Sequence, residues 1–473
     1  MTPRTLMTSN TPLHQPRAPH TAVPPPHPAP FSLVDEIARH CAQEAEPETV
    51  HVEVHLPGVV DHPRLRAAFG RALARHPRAL LRQAPMRWWH RRYLWEPAGT
   101  PDLAPVSFAG PDPGALRRAR DRALAECPPP DAGPPVRLEV IEQATGTGTG
   151  SVLLLTAHHT ALDAPSCLRL LATTAELYGG AANSPAPPPV RAPKPATRRT
   201  RRNSAAPVST ALRRPARIAA ARDNTAPGNG DGNGMLLTEL PVPARPPRAP
   251  GAARPAHTVN DQLLVAAFLM ATRWNRLHRT RAAPVVLTMP VDDRPRGTEM
   301  PLGNGTRLVP VRFGPADLRD AAQTAASGTP DPAAVTRLLR RTAARTHALK
   351  AAPGRPLGLA GAVLTTPVLP VGVRAAVTRR ARAAAAPWTS TALLSNIGRV
   401  PYPFDFGEAG RATGVWFSAP ARMPRGLSLA TVSTDGRIQL TLRWSRALLD
   451  DAAGATLCAL FEESLAATSW SGA

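Results

Sequence analysis

Two adjacent histidines and an aspartate four residues further on form the segment best suited to chemistry, His158, His159 and Asp163. The largely apolar residues before them, 151–157, predict a buried strand that ends at the pair. Adjacent residues of a strand point to opposite faces, so only one histidine can face a given cleft while the other packs inside. A neutral imidazole has a pKa near working pH, which suits it to act as a general base.

Other interpretations of this segment stay open on local grounds. A histidine pair is often a satisfied core residue beside a surface residue, and two histidines with one aspartate could hold a metal ion. Asp163, followed by Pro165 and Ser166, also has the sequence of a helix N-cap, for a helix that runs to about Leu177. Capping does not exclude a second role for the carboxylate.

The elements that must position these residues alternate between strands and helices twice along the 473-residue chain. The length suits two domains or one duplicated pair, and the alternation predicts an α/β fold. We expect a disordered Pro/His-rich tail at 1–30, a first half at 31–182, a flexible Pro/Arg-rich connection at 183–256 and a second half at 257–473.

Hydrophobic periodicity and capping residues predict the elements of each half. In the first half, strands are expected at 50–57, 88–95, 135–143 and 151–157, and helices at 61–76, 113–126 and 163–177. One strand is expected within the connection, at 235–242. In the second half, strands are expected at 285–289, 391–395, 412–418, 427–433 and 437–445, and helices at 260–277, 331–349, 372–386 and 449–467.

The formal charge of +23 is concentrated in one part of the chain. Between Arg191 and Arg254 there are 13 Lys/Arg and 3 Asp/Glu residues, a net of +10. A basic surface suits nucleic acid, an anionic membrane or an acidic protein partner, and it is equally the product of a solvated, arginine-biased composition. The sequence has no helix-turn-helix pattern or aromatic platform, so we expect no nucleic-acid partner.

Cysteine spacing and hydropathy indicate the compartment. The four cysteines lie far apart without zinc-ligand spacing, which predicts reduced thiols, no metal and a cytoplasmic protein. The N-terminal residues lack the apolar core of a signal peptide. The longest stretch without charge, Pro356–Val373, is interrupted by prolines and glycines, so we expect a buried wall and no membrane span.

The HHTALDA run, residues 158–164, closely resembles the HHxxxDG signature of the condensation-domain and chloramphenicol-acetyltransferase-like acyltransferase superfamily. Four further segments resemble elements of that superfamily in the same order: 61–77, TVND at 258–261, MPVDDR at 289–294 and SNIG at 395–398. The resemblance extends from about Phe31 to Ala467. It implies two chloramphenicol-acetyltransferase-like subdomains arranged as a V, with the active site in a central tunnel.

The resemblance also implies a role for individual residues. His159 would be the catalytic base, and His158 would support the strand end from inside. Asp163 would face Arg294 in a largely buried pair that holds the shape of the loop. Ser395 and Asn396 would be candidates for contacts with the oxyanion or substrate.

The implied activity is that of a stand-alone condensation-type or polyketide-associated acyltransferase. It would move an acyl or peptidyl group from a carrier-protein or coenzyme A thioester to an amine or alcohol, in nonribosomal peptide or polyketide biosynthesis. The phosphopantetheine thioester or acyl-CoA would be the donor substrate and no cofactor would be bound. An acidic carrier protein would be the partner of a monomeric enzyme. The alternative is a catalytically silent platform that recruits carrier proteins or tailoring enzymes.

One residue departs from the superfamily pattern. Ala164 stands where the signature has glycine, which would cost about 1 kcal/mol if the position needs a positive φ and nothing if it begins the helix. Pro165 disfavours helical geometry at Ala164.

The Asp405-Phe406-Gly407 segment has the letters of a kinase motif. The glycine-rich loop and the catalytic loop of a kinase do not accompany it, and we expect it to be a structural loop.

Overall fold

The structure is a computed structural model, and the residues it describes leave gaps along the chain. The described residues are 28–42, 45–98, 104–145, 148–180, 213–222, 231–248, 251, 255–292, 294, 300–326, 331–352 and 364–470. Most of the expected tail, much of the expected connection and residues 356–363 of the expected wall lie outside them.

The first half of the chain builds most of two sheets and carries four helices. Its elements are β1 (Ala29–Pro30), α1 (Leu33–His40), β2 (Thr49–Leu56), α2 (His62–Arg75), β3 (Leu81–Gln83), β4 (Leu94–Pro97), β5 (Val106–Ala109), α3 (Ala115–Ala125), β6 (Val136–Thr145), β7 (Gly148–His158) and α4 (Ala164–Gly179). The strand β7 is continuously buried from Gly150 to His158, because its apolar side chains face packed layers on both sides.

The second half builds a larger sheet with five helices in the described residues. Its elements are β8 (Asn233–Pro241), α5 (Val259–Leu277), β9 (Val285–Asp292), β10 (Thr306–Phe313), α6 (Pro315–Ala326), α7 (Pro332–Ala351), α8 (Val371–Ala385), β11 (Ala392–Arg399), β12 (Gly414–Ser418), β13 (Leu427–Thr434), β14 (Arg437–Ser445) and α9 (Asp451–Ala466). A reciprocal capping box between Thr258 and Asp261 begins α5, the central buried helix of this half.

The sheet topology joins the two halves by strand exchange. The six-stranded sheet has the order β10-β9-β11-β13-β14-β8, and a small sheet has the order β1-β4-β3. The five-stranded sheet has the order β12-β2-β7-β6-β5, so a strand from the second half completes the sheet of the first. In this ladder Gly414 pairs with His55 and Ser418 pairs with His51. The α/β class is therefore confirmed, while the V-shaped arrangement and its tunnel stay predictions.

Most of the expected strands and helices are present, but one strand is wrong. Residues 88–95 were expected to be extended, whereas regular strand begins only at Leu94. The tryptophans of this segment, Trp88 and Trp89, lie in an exposed turn. The run contains a pair of adjacent tryptophans and a pair of arginines, which breaks the alternation that a half-buried strand requires.

Two strands correct the expected boundaries of the halves. Residues 29–30 pair with β4, so the structured chain begins before the expected end of the tail at residue 30. The expected strand β8 pairs with β14, and Ile218 packs in the core of the second half. The described parts of residues 183–256 are thus folded, and the expected flexible connection does not extend through them.

The strand β10 was not expected, because Pro310 interrupts its pattern. Proline cannot donate to a β-ladder and is tolerated mainly at a sheet edge. Here β10 is the edge strand beside β9, with Val309, Val311 and Phe313 turned inward. A proline in an alternating run is therefore compatible with an edge strand, because one side of such a strand has no neighbouring strand to hydrogen-bond.

The expected buried wall is wrong for the residues that the structure describes. Val368 and Leu369 are 71% and 50% exposed, and only Val371 is fully buried. Among the described residues, none of the helices combines the length and the apolar character needed to cross a bilayer.

The Asp405-Phe406-Gly407 segment is a packed structural loop, as expected. Phe406 is fully buried, and Asp405 accepts a hydrogen bond from Gly407 N. The end of α4 approaches this loop so closely that a Cβ on Gly179 would lie 2.7 Å from Gly407 N and 2.9 Å from Asp405 O. The glycine is required by close approach of two main chains.

We predict that Gly179→Ala lowers the free energy of unfolding by about 1–3 kcal/mol, because the backbone of the facing loop must move. The matched control is Gly70→Ala, at a helical glycine of α2 with nothing within 4 Å of the added Cβ. That variant should gain up to about 1 kcal/mol from helix propensity. Urea unfolding measures both, and equal effects of the two variants would contradict the assignment.

Candidate active site

The histidine pair is held by main-chain hydrogen bonds at the end of β7. His158 pairs with Thr49 of β2, and His158 N donates to Pro135 O at 2.9 Å. One residue further, His159 N donates to Glu48 O at 2.8 Å. The neighbouring strands therefore fix the backbone of both histidines before any side-chain contact is considered.

His158 is the inward member of the pair. Its side chain is buried, and its Nδ1 accepts a hydrogen bond from Thr160 N at 3.1 Å. Burial, followed by the charges of Arg39 and His159, lowers the pKa of His158 to about 3. His158 is therefore neutral at physiological pH and stabilises the turn that follows it, as expected for the packed histidine.

His159 is the outward member and has a different environment. The residue as a whole is half-buried, but its Nδ1 atom is buried. That atom has no hydrogen-bond partner in the described part of the chain. No hydrogen bond from the described residues reaches its ring. The imidazole can therefore exchange a proton with a bound molecule without first breaking a protein contact.

The turn after the pair leads directly into α4. Ala161 N and Leu162 N both donate to His158 O, at 2.9 and 3.2 Å. Asp163 is the N-cap of α4 and accepts from Ser166 N at 3.1 Å. Ala164 is the first residue of the helix and does not have a positive φ. Alanine in place of glycine is therefore tolerated at this position of the signature.

Asp163 and Arg294 form the expected ion pair, and it is bidentate. Arg294 Nη2 lies 3.0 Å from Asp163 Oδ2, and Nη1 lies 3.1 Å from Oδ1. The side chains are 8% and 4% exposed, and Arg294 Nε also donates to Asp292 at 3.0 Å. Burial would lower the pKa of Arg294, but Asp163 and Asp292 outweigh burial, and the pKa is raised.

Ser166 and Gly303 complete this buried centre. Ser166 Oγ lies 2.7 Å from Asp163 Oδ1, and it accepts from Gly303 N and from Arg294 Nη1, each at 3.0 Å. Gly303 has φ +128°, and a Cβ on Gly305 would lie 2.4 Å from the Arg294 side chain. Both glycines are therefore needed for the loop to close over the arginine.

Asn304, between these glycines, reaches the backbone of the candidate base. Its Nδ2 lies 2.9 Å from His159 O, Thr160 O and Asp35 Oδ1. Since an amide group has two hydrogens, it shares them among three acceptors. A loop of the second half thus holds the main chain at His159 in place.

Sequence reasoning missed Asn304, Ser166 and Asp35 as members of the site. Gly303-Asn304-Gly305 has the sequence of a turn, and nothing local shows that it contacts a segment about 145 residues earlier. Ser166 was assigned only to the start of α4. Asp35 lies in a helix that sequence analysis did not predict, where it forms a capping box with Ser32.

Ser395 and Asn396 lie apart from the histidine pair in the hydrogen-bond network. They are part of β11, where a bulge falls between Asn396 and Gly398. Asn396 Nδ2 donates to Asn260 Oδ1 at 3.4 Å, and Asn260 Nδ2 lies 3.3 Å from Met289 Sδ. The TVND, MPVDDR and SNIG segments therefore meet one another, and within the described ranges no hydrogen bond joins Ser395 or Asn396 to His159.

The described residues contain no group of three or more His, Cys, Asp or Glu side chains placed to hold a metal ion. Their four cysteines are free; Cys41, Cys167 and Cys458 are buried and Cys127 is half-buried. The site therefore contains a half-buried imidazole, on a backbone that main-chain and Asn304 hydrogen bonds hold in place, beside a buried ion-pair centre.

Comparison with known proteins gives distant relatives in sequence. No protein-family model matches the chain. The uncharacterized proteins Rv2305 and MT2362, from two strains of Mycobacterium tuberculosis, are each 27% identical to it over 429 residues. The aligned region covers 88% of this chain and 94% of each relative.

Several solved structures share the fold over nearly the whole chain. The trichothecene 15-O-acetyltransferase of Fusarium sporotrichioides matches with a TM-score of 0.59 and 12% identity, covering 94% of this chain and 95% of its own. The epimerization domain of the third module of tyrocidine synthetase B (TM-score 0.55, 14% identity) covers 93% and 96%. A starter condensation domain of rhizomide synthetase, in complex with C8-CoA and a leucine thioester analogue, also has a TM-score of 0.55, with 15% identity and coverage of 93% and 94%.

These neighbours define the fold of the molecule. The chain shares the fold of condensation domains, an epimerization domain and an acetyltransferase. At this level of sequence identity the likeness concerns the fold.

We predict that removing either partner of the buried ion pair, by Asp163→Ala or Arg294→Ala, lowers the free energy of unfolding by about 3–5 kcal/mol. Arg294→Ala leaves Asp163 and Asp292 without their cation, and Asp163→Ala leaves Arg294 with one of its two carboxylates, so the double variant should lose less than the sum of the two. The control is Arg75→Ala in the exposed Arg75–Glu176 pair, with an expected loss below about 1 kcal/mol. Urea unfolding of the four variants measures this coupling; additive losses would contradict it.

Proposed function

We propose that this protein is an acyltransferase that uses His159 as general base. It transfers an acyl or peptidyl group from a thioester to an amine or alcohol. The observation that carries the proposal is the environment of His159, a half-buried imidazole whose ring has no hydrogen bond to the described residues, on a backbone held by Glu48 and Asn304. The fold supports it, because solved proteins that share it include an acetyltransferase and condensation domains.

The chemistry requires one proton acceptor and no covalent enzyme intermediate. The acceptor's O–H or N–H hydrogen-bonds to His159, and its oxygen or nitrogen attacks the thioester carbonyl while the proton passes to the imidazole. The tetrahedral intermediate collapses, the C–S bond breaks, and the leaving sulfur takes the proton from the imidazolium. Holding donor and acceptor together would supply much of the rate enhancement.

The residues around His159 have supporting roles in this proposal. His158 is too deeply buried to meet substrate, and Asp163 is engaged by Arg294 and Ser166. Both act on the shape of the turn. Asn304 is a positioning residue, because it contacts the main chain of His159 and not the ring.

Ser395 remains the better candidate for an oxyanion contact. It is part-exposed, and its hydroxyl makes no hydrogen bond with the described residues. Asn396 uses its amide nitrogen on Asn260 and its amide oxygen on Gly398 N. A free hydroxyl needs no rearrangement before it donates to a developing negative charge.

The donor is proposed to be acyl-CoA or an acyl group on the phosphopantetheine arm of a carrier protein. A starter condensation domain of the same fold was crystallised with C8-CoA, which supports the first source. The net charge of +23 suits an acidic carrier protein by electrostatic steering, which supports the second. Natural-product biosynthesis is the proposed setting.

We predict that His159→Ala lowers acyl transfer at least about 100-fold while the urea unfolding midpoint stays unchanged, because no described residue hydrogen-bonds to the ring. The assay follows release of free thiol from octanoyl-CoA and from octanoyl-carrier protein with a panel of amines and alcohols. The matched control is His347→Ala, at an exposed histidine of α7. Full activity of His159→Ala would refute the assignment of His159 as general base. A wild-type protein that transfers no acyl group but still binds carrier protein would favour the recruitment platform.

We predict that Asn304→Ala lowers kcat about tenfold with little change in KM for the donor, because the base loses its position while the substrate contacts remain. The free energy of unfolding is measured on the same samples. A loss of stability with unchanged kcat per folded molecule would assign Asn304 a structural role alone.

A further inference from the structure

Two segments that are distant in the chain form one exposed surface. Gly372 N donates to Trp88 O at 2.9 Å, and Val371 N donates to His90 O at 2.7 Å. Arg374 Nη2 donates to Arg91 O at 2.8 Å. These bonds fix residues 84–94 beside residues 364–377, and we name the exposed surface of the two segments the Trp88 patch.

The Trp88 patch is rich in exposed apolar side chains. Of the twelve large apolar side chains exposed in the described residues, six belong to these two segments. They are Trp88 (63%), Trp89 (48%), Val368 (71%), Leu369 (50%), Val373 (38%) and Val377 (44%). Single exposed apolar residues are ordinary on protein surfaces, but a concentration of this kind marks a site of interaction.

The charge of the Trp88 patch has one sign. Residues 84–94 and 364–388 contain no aspartate or glutamate. The exposed arginines of the two segments are Arg87, Arg91 and Arg92, and the exposed Arg379 and Arg380 follow the second segment directly in α8. The carboxylate below them, Glu36, is buried in a pair with Arg374 at 2.8 Å and is not presented at the surface.

The cationic and apolar groups are interleaved. The Arg87 guanidinium lies 5.2 Å from the centre of the Trp89 ring, and the two indoles meet edge to face at 5.8 Å. His90, Arg91 and Arg92 line a surface depression together with Leu94 and Pro367. The depression places positive donors directly beside the exposed indoles and aliphatic side chains.

We propose that the Trp88 patch binds the surface of an anionic lipid bilayer. Indole rings favour the interface between headgroups and acyl chains, where Trp88 and Trp89 would lie. Val368 and Leu369 would enter the outer acyl region, and the arginines would meet lipid phosphates. An acidic protein surface would pair with the arginines, but it would leave the six apolar side chains without an apolar environment to enter.

The proposal concerns binding alone and does not depend on acyl transfer. If the proposed transfer also holds, the bilayer would keep the protein beside water-insoluble acyl donors or acceptors. The two can fail separately, because vesicle binding is measured without thioester and acyl transfer without vesicles.

The test is co-sedimentation of the full-length protein with vesicles of phosphatidylcholine alone or with 30% phosphatidylglycerol. Wild type should bind the anionic vesicles at least about tenfold more tightly, and binding should weaken in 0.5 M salt. W88S/W89S and the charge reversal R87E/R91E should each lose about tenfold or more. Trp470→Ser is the matched control, at an exposed tryptophan outside the patch, and should bind as wild type.

Circular dichroism and urea unfolding confirm that each variant is folded, and tryptophan quenching by brominated lipids reports insertion. Quenching in wild type and Trp470→Ser, and its absence in W88S/W89S, would support the proposal. It would be overturned by wild type that does not bind anionic vesicles, or by W88S/W89S that binds like wild type. It would also be overturned if the patch variants lost affinity for an acidic carrier protein but kept their affinity for vesicles.

Discussion

The geometry of the candidate site depends on the hydrogen bonds and ion pairs that the Arg294 guanidinium makes. It joins Asp163 at the start of α4, Asp292 at the end of β9 and the carbonyl of Gly303 in one buried centre. A buried cation is tolerated only when its donors are matched, and here two carboxylates and two neutral oxygens match them. The same centre brings the loop of Asn304 onto the backbone of His159, so Arg294 helps to position the proposed base without a hydrogen bond to it.

Much of the site could be predicted from sequence because its residues carry local signals. The apolar run before the histidine pair, the capping residues at Asp163 and the MPVDDR segment each have a recognisable pattern, and the structure joins Asp163 to Arg294. Asn304 could not be found in this way, because its contacts depend on how a loop closes across the two halves. Ser395 and Asn396 show the converse, since their strand was expected but, in the described residues, no hydrogen bond joins them to the histidine pair.

The fold was predictable where one physical rule decided each element. Periodicity and caps give β7, α4, α5 and α9, since burial and helix termini are local properties. The errors arise where tertiary position overrides local preference. Pro310 is acceptable because β10 is an edge strand, and the tryptophans at 88–89 lie in an exposed turn although their aromatic character favoured an amphipathic strand.

The strand exchange of β12 has a consequence for how the chain is made. The sheet that carries the histidine pair lacks its edge strand until residues 414–418 have left the ribosome, about 360 residues after β2. Until then β2 has an unpaired edge beside newly made chain, a condition that favours aggregation or mispairing. The candidate site therefore matures late in synthesis, and a protein truncated before Gly414 would retain HHTALDA in a sheet that lacks its edge strand.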